Sequence, residues 1–123
     1  MSLVPDGLKY TKDHEWAKLE GAVATVGVTD HAQRELGDIV FVELPKVGAA
    51  VKAGESFGTI EAVKTVAELY APVSGTIEAV NTALSADAGV INQDPYGNGW
   101  IIKVKVAGSQ EAMMDAAAYK ALI

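Results

Sequence analysis

Phe57-Gly58-Thr59-Ile60-Glu61-Ala62-Val63-Lys64-Thr65-Val66-Ala67-Glu68-Leu69 sets strand-forming residues on both sides of a single lysine. Alternation of apolar and polar positions over short runs is the mark of half-buried strands, and two such runs around a short break predict a tight hairpin. The hairpin is expected over about residues 57–77, with Lys64 at its tip. A lysine taken at random is a solvated surface residue. One at the tip of a stiff hairpin is solvated and also held out from the body of the protein.

Working outward, the string Gly58-Thr59-Ile60-Glu61-Ala62-Val63 recurs as Gly75-Thr76-Ile77-Glu78-Ala79-Val80, 17 residues further on. Two copies do not make a repeat architecture, which needs three or more units, so the recurrence reads as reuse of a strand-friendly hexamer. Lys64 follows the first copy and Asn81 the second, so only one offers an amine. Upstream, Val23 to Val28 is small or β-branched and reads as a strand opened by a turn at Gly21. Thr29 and Asp30 can cap a short helix through Leu36, with Gly37 placed to end it in the left-handed conformation. Asp38 to Leu44 reads as a buried or half-buried strand stopped by Pro45. Gly48, Gly54, Gly58 and Gly75 then interrupt apolar segments at the short intervals of many-turned β folds.

The tail changes character. Ser109 suits an N-cap, and the alanine-rich run that follows predicts a C-terminal helix over about residues 110–120. Met113, Ala116 and Ala117 would share its buried face, and Glu111 and Asp115 would favour its positive end. The expected architecture is mainly β, a compact sandwich or barrel with one internal and one terminal helix, in a single domain spanning residues 1–123.

Composition closes off several functions. The 123 residues include no cysteine, which removes disulfides, thiolate metal sites, redox dithiols and cysteine nucleophiles. Half are apolar and 21% are charged, as in ordinary globular proteins. A net charge of −6 repels phosphate backbones and anionic membrane surfaces, so neither nucleic acid nor membrane is an expected partner. Partner proteins with basic docking surfaces are favoured instead. No apolar run reaches the roughly 20 residues needed to cross a bilayer, and Met1 to Tyr10 lacks the pattern of a signal peptide.

Other constellations fall short. His14-Glu15 lacks the second histidine of a zincin, because Lys18 stands there. His31 has no neighbour at metal-ligand spacing. Gly97 and Gly99 lack the third glycine of a dinucleotide fingerprint. Trp100 is expected to start an apolar strand, and Trp16 and Trp100 are expected to pack the core. Lys64 remains. An amine held in water stays protonated and is a poor Schiff-base catalyst, yet a modifying enzyme can reach and acylate it.

Glu61-Ala62-Val63-Lys64-Thr65, followed by Leu69-Tyr70-Ala71-Pro72-Val73-Ser74-Gly75, resembles the lipoyl-attachment hairpin of glycine cleavage H-proteins. The resemblance extends to Tyr10–Trp16, Gly27–Pro45 and Asp94–Trp100, in that order, and so covers nearly the whole chain. It departs at Ala62, where the family often has Ser, and at Thr65, where it often has Ala. It implies a barrel-sandwich hybrid of two short antiparallel sheets related by approximate two-fold symmetry. It implies lipoate attached to Lys64, with Glu61 and Gly75 recognised by the lipoate ligase or lipoyl/octanoyl transferase. The implied partners are a pyridoxal-phosphate glycine decarboxylase, a tetrahydrofolate-dependent aminomethyltransferase and dihydrolipoamide dehydrogenase. The chain would be a monomeric carrier that catalyses none of their steps, cytoplasmic in a bacterium or in the mitochondrial matrix as a processed eukaryotic chain. The family shelters its loaded arm in a surface cleft, and Glu15 and Glu68 are the carboxylates placed to hold the amine there. A biotinyl domain would normally have methionine beside the lysine, unlike Val63 and Thr65. An H-like lipoyl donor or interaction module, not loaded for glycine cleavage, and a lysine-dependent enzyme are the other readings.

Overall fold

The computed structural model describes residues 2–110 and 112–123, with Ser109 described by its backbone alone. In chain order its strands are β1 (Lys9–Tyr10), β2 (Glu15–Glu20), β3 (Val23–Val28), β4 (Ile39–Glu43), β5 (Ala50–Val51), β6 (Ser56–Ala62), β7 (Val66–Tyr70), β8 (Val73–Val80) and β9 (Ile102–Gln110). Helix α1 (Asp30–Leu36) falls between β3 and β4, α2 (Ala83–Ala86) and α3 (Val90–Gln93) between β8 and β9, and α4 (Ala116–Leu122) follows β9. The strands form two antiparallel sheets, ordered β1-β2-β3-β9-β8-β5 and β4-β6-β7. Their inner faces meet in one apolar cluster that includes Val26, Val42, Ile60, Leu69, Ile77, Ile91 and Val104. A smaller cluster of Val4, Tyr10, Trp16, Ala116 and Tyr119 lies under the terminal helix.

The two copies of the repeated hexamer fall in different sheets. Its first copy lies on β6, where Thr59 pairs with Glu43 and Ile60 with Val42. Its second lies on β8, where Thr76 pairs with Lys105 and Ile77 with Val104. Ile60 and Ile77 are both fully buried. At each leading glycine the neighbouring strand comes so near that a Cβ would run into a backbone carbonyl, that of Glu43 at Gly58 and that of Lys105 at Gly75. Such close approach admits only glycine. The glycine and the isoleucine of each copy thus answer the same demands, close strand approach and burial, in both sheets. The positions after the copies diverge. Lys64 is exposed at a turn, whereas Asn81 is buried and donates from Nδ2 to the carbonyls of Asn98 (2.8 Å) and Trp100 (2.7 Å).

The terminal helix and the lysine hairpin depart from expectation. The terminal helix starts at Ala116, capped by Asp115, whose side chain accepts from the Ala118 N–H at 2.9 Å; it does not start after Ser109. Ser109 and Gln110 continue β9, where Gln110 pairs with Val73, and Met114 exchanges backbone hydrogen bonds with Tyr10 at 2.7 and 2.8 Å. Long-range pairing thus overrides the local helix propensity of the alanine run. The helix buries Ala116 and Tyr119, not Ala117, and Met113 precedes it; Glu111 lies outside the described residues. Strand β4 is half-buried, within what its residues predict, and lies at a sheet edge with Val40 and Phe41 exposed. The hairpin proper is β6-β7 and ends at Tyr70, while Val73 to Ile77 belongs to the other sheet. The apolar strand near Trp100 begins at Ile102. Trp16 is a core residue, and Trp100 is half-buried with the Lys103 ammonium 5.2 Å from its ring centre.

Candidate functional site: a lysine turn beside an acidic cleft

Strands β6 and β7 pair from Ser56–Tyr70 to Glu61–Val66, and the Ala62 N–H donates to the Thr65 carbonyl at 2.8 Å to close the turn. Val63 and Lys64 form its tip, both exposed, and the Val63 N–H donates to the Asp38 carbonyl at 3.0 Å. That bond fastens the turn to the segment between α1 and β4. It also explains Gly37, which adopts φ 79° and ψ −152°. The positive φ is as expected, but the ψ is extended and not left-handed helical, because the chain must run straight on into β4. Only glycine enters that region without strain. The absent side chain leaves room for Lys64, whose Cε would lie 3.3 Å from a Cβ at Gly37. The lysine stem thus rests on the end of α1 while its side chain stays exposed.

Glu61, Phe41 and Val66 form a cross-strand row at the base of the turn, all three exposed. With Val63, which is 76% exposed, they give the lysine a partly apolar surround centred on one carboxylate. Gly75 lies away from this row, inside β8, and the structure gives it a backbone role against β9.

Next to the turn, a cleft of about 270 Å3 opens between the start of β2, helix α1 and the β6-β7 hairpin. Helix α1 supplies His31, Ala32, Glu35 and Leu36 to one wall, ending where Gly37 meets Lys64. Val28, Ile60, Ala67 and Leu69 make the remainder largely apolar, and Asp13, His14, Glu15 and Glu68 complete the lining. Both carboxylates singled out from the sequence, Glu15 and Glu68, are therefore on the same cleft. They differ in environment. Glu68 is exposed. Glu15 is 2% exposed; its Oε1 accepts from the Thr11 hydroxyl at 3.0 Å and its Oε2 from the Tyr70 N–H at 3.2 Å. Burial nevertheless pushes its carboxyl up to about 8, outweighing the two hydrogen bonds.

The sequence did not reveal the polar chain behind this wall. His14, at φ 66°, is the non-glycine residue with positive φ among those described. Its Nδ1 is 2.7 Å from the Tyr119 hydroxyl, which is 2.8 Å from Thr29 Oγ1. Thr29 Oγ1 already accepts from the Ala32 N–H at 3.1 Å as the cap of α1. Thr29 and Tyr119 are fully buried, so every hydroxyl hydrogen needs an acceptor. Only one direction satisfies all of them: Thr29 donates to Tyr119, and Tyr119 donates to Nδ1 of a neutral His14. Reversal would strand the Thr29 hydrogen, at a cost of about 1–3 kcal/mol. Burial and the His31 ring, 4.7 Å away, also lower the basicity of His14, against the opposing pull of Asp13 and Glu35. His14 and Tyr119 are 105 positions apart, beyond the reach of local pattern. No group of three or more His, Asp or Glu side chains is placed to hold a metal ion among the described residues, and no helix among them is long and apolar enough to cross a membrane.

Two antiparallel sheets with matched hexamers, and a lysine presented at the turn of one of them, define a barrel-sandwich of the lipoyl-domain type. The family described as Glycine cleavage H-protein matches residues 8–123. The chain is 59% identical over 124 residues to a glycine cleavage system H protein of Chlorobium limicola, covering 98% of this chain and 97% of that one. It is 58% identical over 107 residues to one from Rubrobacter xylanophilus, covering 87% and 85%. The crystal structure of a glycine cleavage system H protein from Mycobacterium marinum superposes with a TM-score of 0.91 at 44% identity, covering 96% and 97%. The chain belongs to the glycine cleavage H-protein family.

Proposed function

We propose that this chain is the lipoyl carrier of a glycine cleavage system, with lipoate in amide linkage to Nζ of Lys64. The observation that carries the reading is the position of Lys64: exposed at a fastened turn, its stem on Gly37, where the wall of an apolar, acid-lined cleft ends. The residues suit the group. Val28, Ala32, Leu36, Ile60, Ala67 and Leu69 match a saturated chain and a dithiolane, and Glu15 and Glu68 match an amine. When bound, lipoate supplies a reducible disulfide that takes up and releases the aminomethyl group.

The protein's own part is to present, shelter and release. Tethering to a rigid base raises the arm's local concentration at each partner's active site without new contacts. The partners in this reading are the pyridoxal-phosphate decarboxylase, the tetrahydrofolate-dependent aminomethyltransferase and dihydrolipoamide dehydrogenase, and we assign the chain no catalytic step of its own. Glu61, in its row with Phe41 and Val66, is the recognition point we assign to the lipoate-attaching enzyme. Gly75 contributes to attachment by holding β8 against β9. In the empty cleft Glu15, pushed up to about 8, is protonated at neutral pH. An amine docking against it takes up that proton, leaving ammonium against a carboxylate already hydrogen-bonded by Thr11 and Tyr70. Glu68 adds a second negative charge on the exposed side. A bacterial cytoplasm suits this reading, since the relatives named above are bacterial.

The test is to load lipoylated protein from labelled glycine with the decarboxylase, then follow loss of the label by hydrolysis. The reading predicts loading, and loss from Glu15→Gln faster by about tenfold, equivalent to one displaced ion pair of about 1.4 kcal/mol. An unchanged rate removes Glu15 from the role. Failure to load at all leaves a lipoyl donor for other complexes.

A further inference from the structure

We propose that Tyr119, on the C-terminal helix, is a positioning residue for the arm cleft: its hydroxyl, held between Thr29 and His14, fixes His14 as a neutral imidazole protonated on Nε2, so that the cleft keeps its negative charge for an amine. The inference rests on the carrier reading of the cleft and goes beyond it by giving the terminal helix a part in retention.

The geometry has three supports. The hydrogen-bond chain Thr29–Tyr119–His14 runs from Thr29 to His14, because Tyr119 is the partner within reach for the buried Thr29 hydrogen, while the Thr29 oxygen accepts from the Ala32 N–H. Tyr119 is itself fixed, fully buried and stacked on Tyr10 with ring centres 4.8 Å apart and planes 10° from parallel. His14 is locked by its backbone, its N–H donating to the Thr11 carbonyl at 3.1 Å and its carbonyl accepting from the Thr29 N–H at 3.0 Å. Turning the ring away would leave the hydroxyl hydrogen of the buried Tyr119 without its acceptor.

The charged groups about His14 give this arrangement its consequence. Asp13 and Glu15 flank it in sequence, His31 and Glu35 face it from α1, Glu68 lines the same cleft from β7, and Tyr119 approaches from α4. Four carboxylates and two imidazoles share one cleft, and His31 is further engaged with Glu35 at 3.6 Å. An imidazolium at position 14 would act as an internal counter-ion and compete with an incoming amine for the acidic wall. Protonating Nδ1 requires the Tyr119 hydroxyl to reverse and strands the Thr29 hydrogen, so the chain opposes that charge.

Tyr119→Phe removes the hydroxyl and keeps the ring on Tyr10. The first readout needs no arm: 15N NMR of the imidazoles in the unmodified protein. The expected result is the Nε2–H form of His14 in the unaltered protein, and in Tyr119→Phe a titration midpoint raised by about half a pH unit, a roughly threefold change in the charged-to-neutral ratio. An Nδ1–H tautomer in the unaltered protein, or a midpoint that does not move, overturns the inference. The second readout is loss of the aminomethyl label as a ratio of Tyr119→Phe to unaltered protein across pH. The ratio should grow as pH falls through the His14 titration, and the growth should vanish when His14→Gln, uncharged at any pH, is added. A flat ratio alongside fast loss from Glu15→Gln overturns this inference alone, whereas indifference to both substitutions overturns the cleft reading with it.

Discussion

The stem of Lys64 lies against Gly37, with its Cε 3.3 Å and its Nζ 3.8 Å from the place where a Cβ on that glycine would stand. The residue that ends α1 thereby borders the path along which the Lys64 amine leaves the protein. Gly37→Ala places a methyl group there and forces alanine into φ 79°, ψ −152°. The expected cost is about 1–3 kcal/mol, read as a lower urea midpoint, together with slower acylation of Lys64 by a lipoate ligase under conditions where the variant is fully folded. Unchanged stability would show that the α1–β4 junction relaxes freely.

The matched glycines of the two sheets make a paired prediction. Gly58→Ala and Gly75→Ala each drive a Cβ into a backbone carbonyl that cannot retreat without opening the sheet, so each should cost about 3 kcal/mol. If Gly75 serves attachment through the sheet, both variants lose lipoylation in proportion to their unfolded fraction, measured by pulse proteolysis. Loss confined to folded Gly75→Ala would instead give that glycine a direct contact with the attaching enzyme.

Glu15 supplies a pH dependence with a definite sign. Its folded-state pKa of about 8 lies above the ordinary value of 4.5, so between these limits the native state binds more protons than the unfolded chain. Its protonation therefore supports the fold at low pH, and that support is lost as pH rises from about 4.5 towards 8. Glu15→Gln removes this dependence. The stability difference, variant minus unaltered protein, should climb between pH 5 and 8 by up to about 1.4 kcal/mol per pH unit, measured by urea denaturation at each pH. A difference that stays constant would mean that Glu15 is solvated in the folded protein.

The terminal helix can be checked at its cap. Asp115→Ala removes the acceptor for the Ala118 N–H and should cost about 1 kcal/mol, while Ser109→Ala, outside the helix, should lack that capping loss. Thermal unfolding of the two variants distinguishes them, and the reverse order would put the helix start back where local propensity placed it.

What could be read from the chain follows the range of the interactions. Strand β3, helix α1 with its Thr29 cap, and the β6-β7 hairpin are set by residues within a few positions of one another, and alternation, capping and turn residues reported them. The terminal helix was displaced because β9 continues through Gln110 against Val73, a partner 37 positions away that no local window contains. The edge position of β4 was equally hidden, since apolar Val40 and Phe41 look buried until the sheet order is known. At the site, Lys64, Glu15 and Glu68 were accessible because the residues around them match a known pattern. His14, Tyr119 and Gly37 were not, for their roles arise from tertiary contacts: a hydrogen bond across 105 positions and a lysine stem resting on a glycine.

The most direct test of the central claim is the intact mass of the folded protein after incubation with a competent lipoate ligase, ATP, and both lipoate and biotin, followed by peptide mapping. The account predicts a single lipoyl adduct on Lys64, no biotin, and no adduct on an equally folded Lys64→Arg variant. A folded protein that stays unmodified, or that carries its adduct on another lysine, would contradict it.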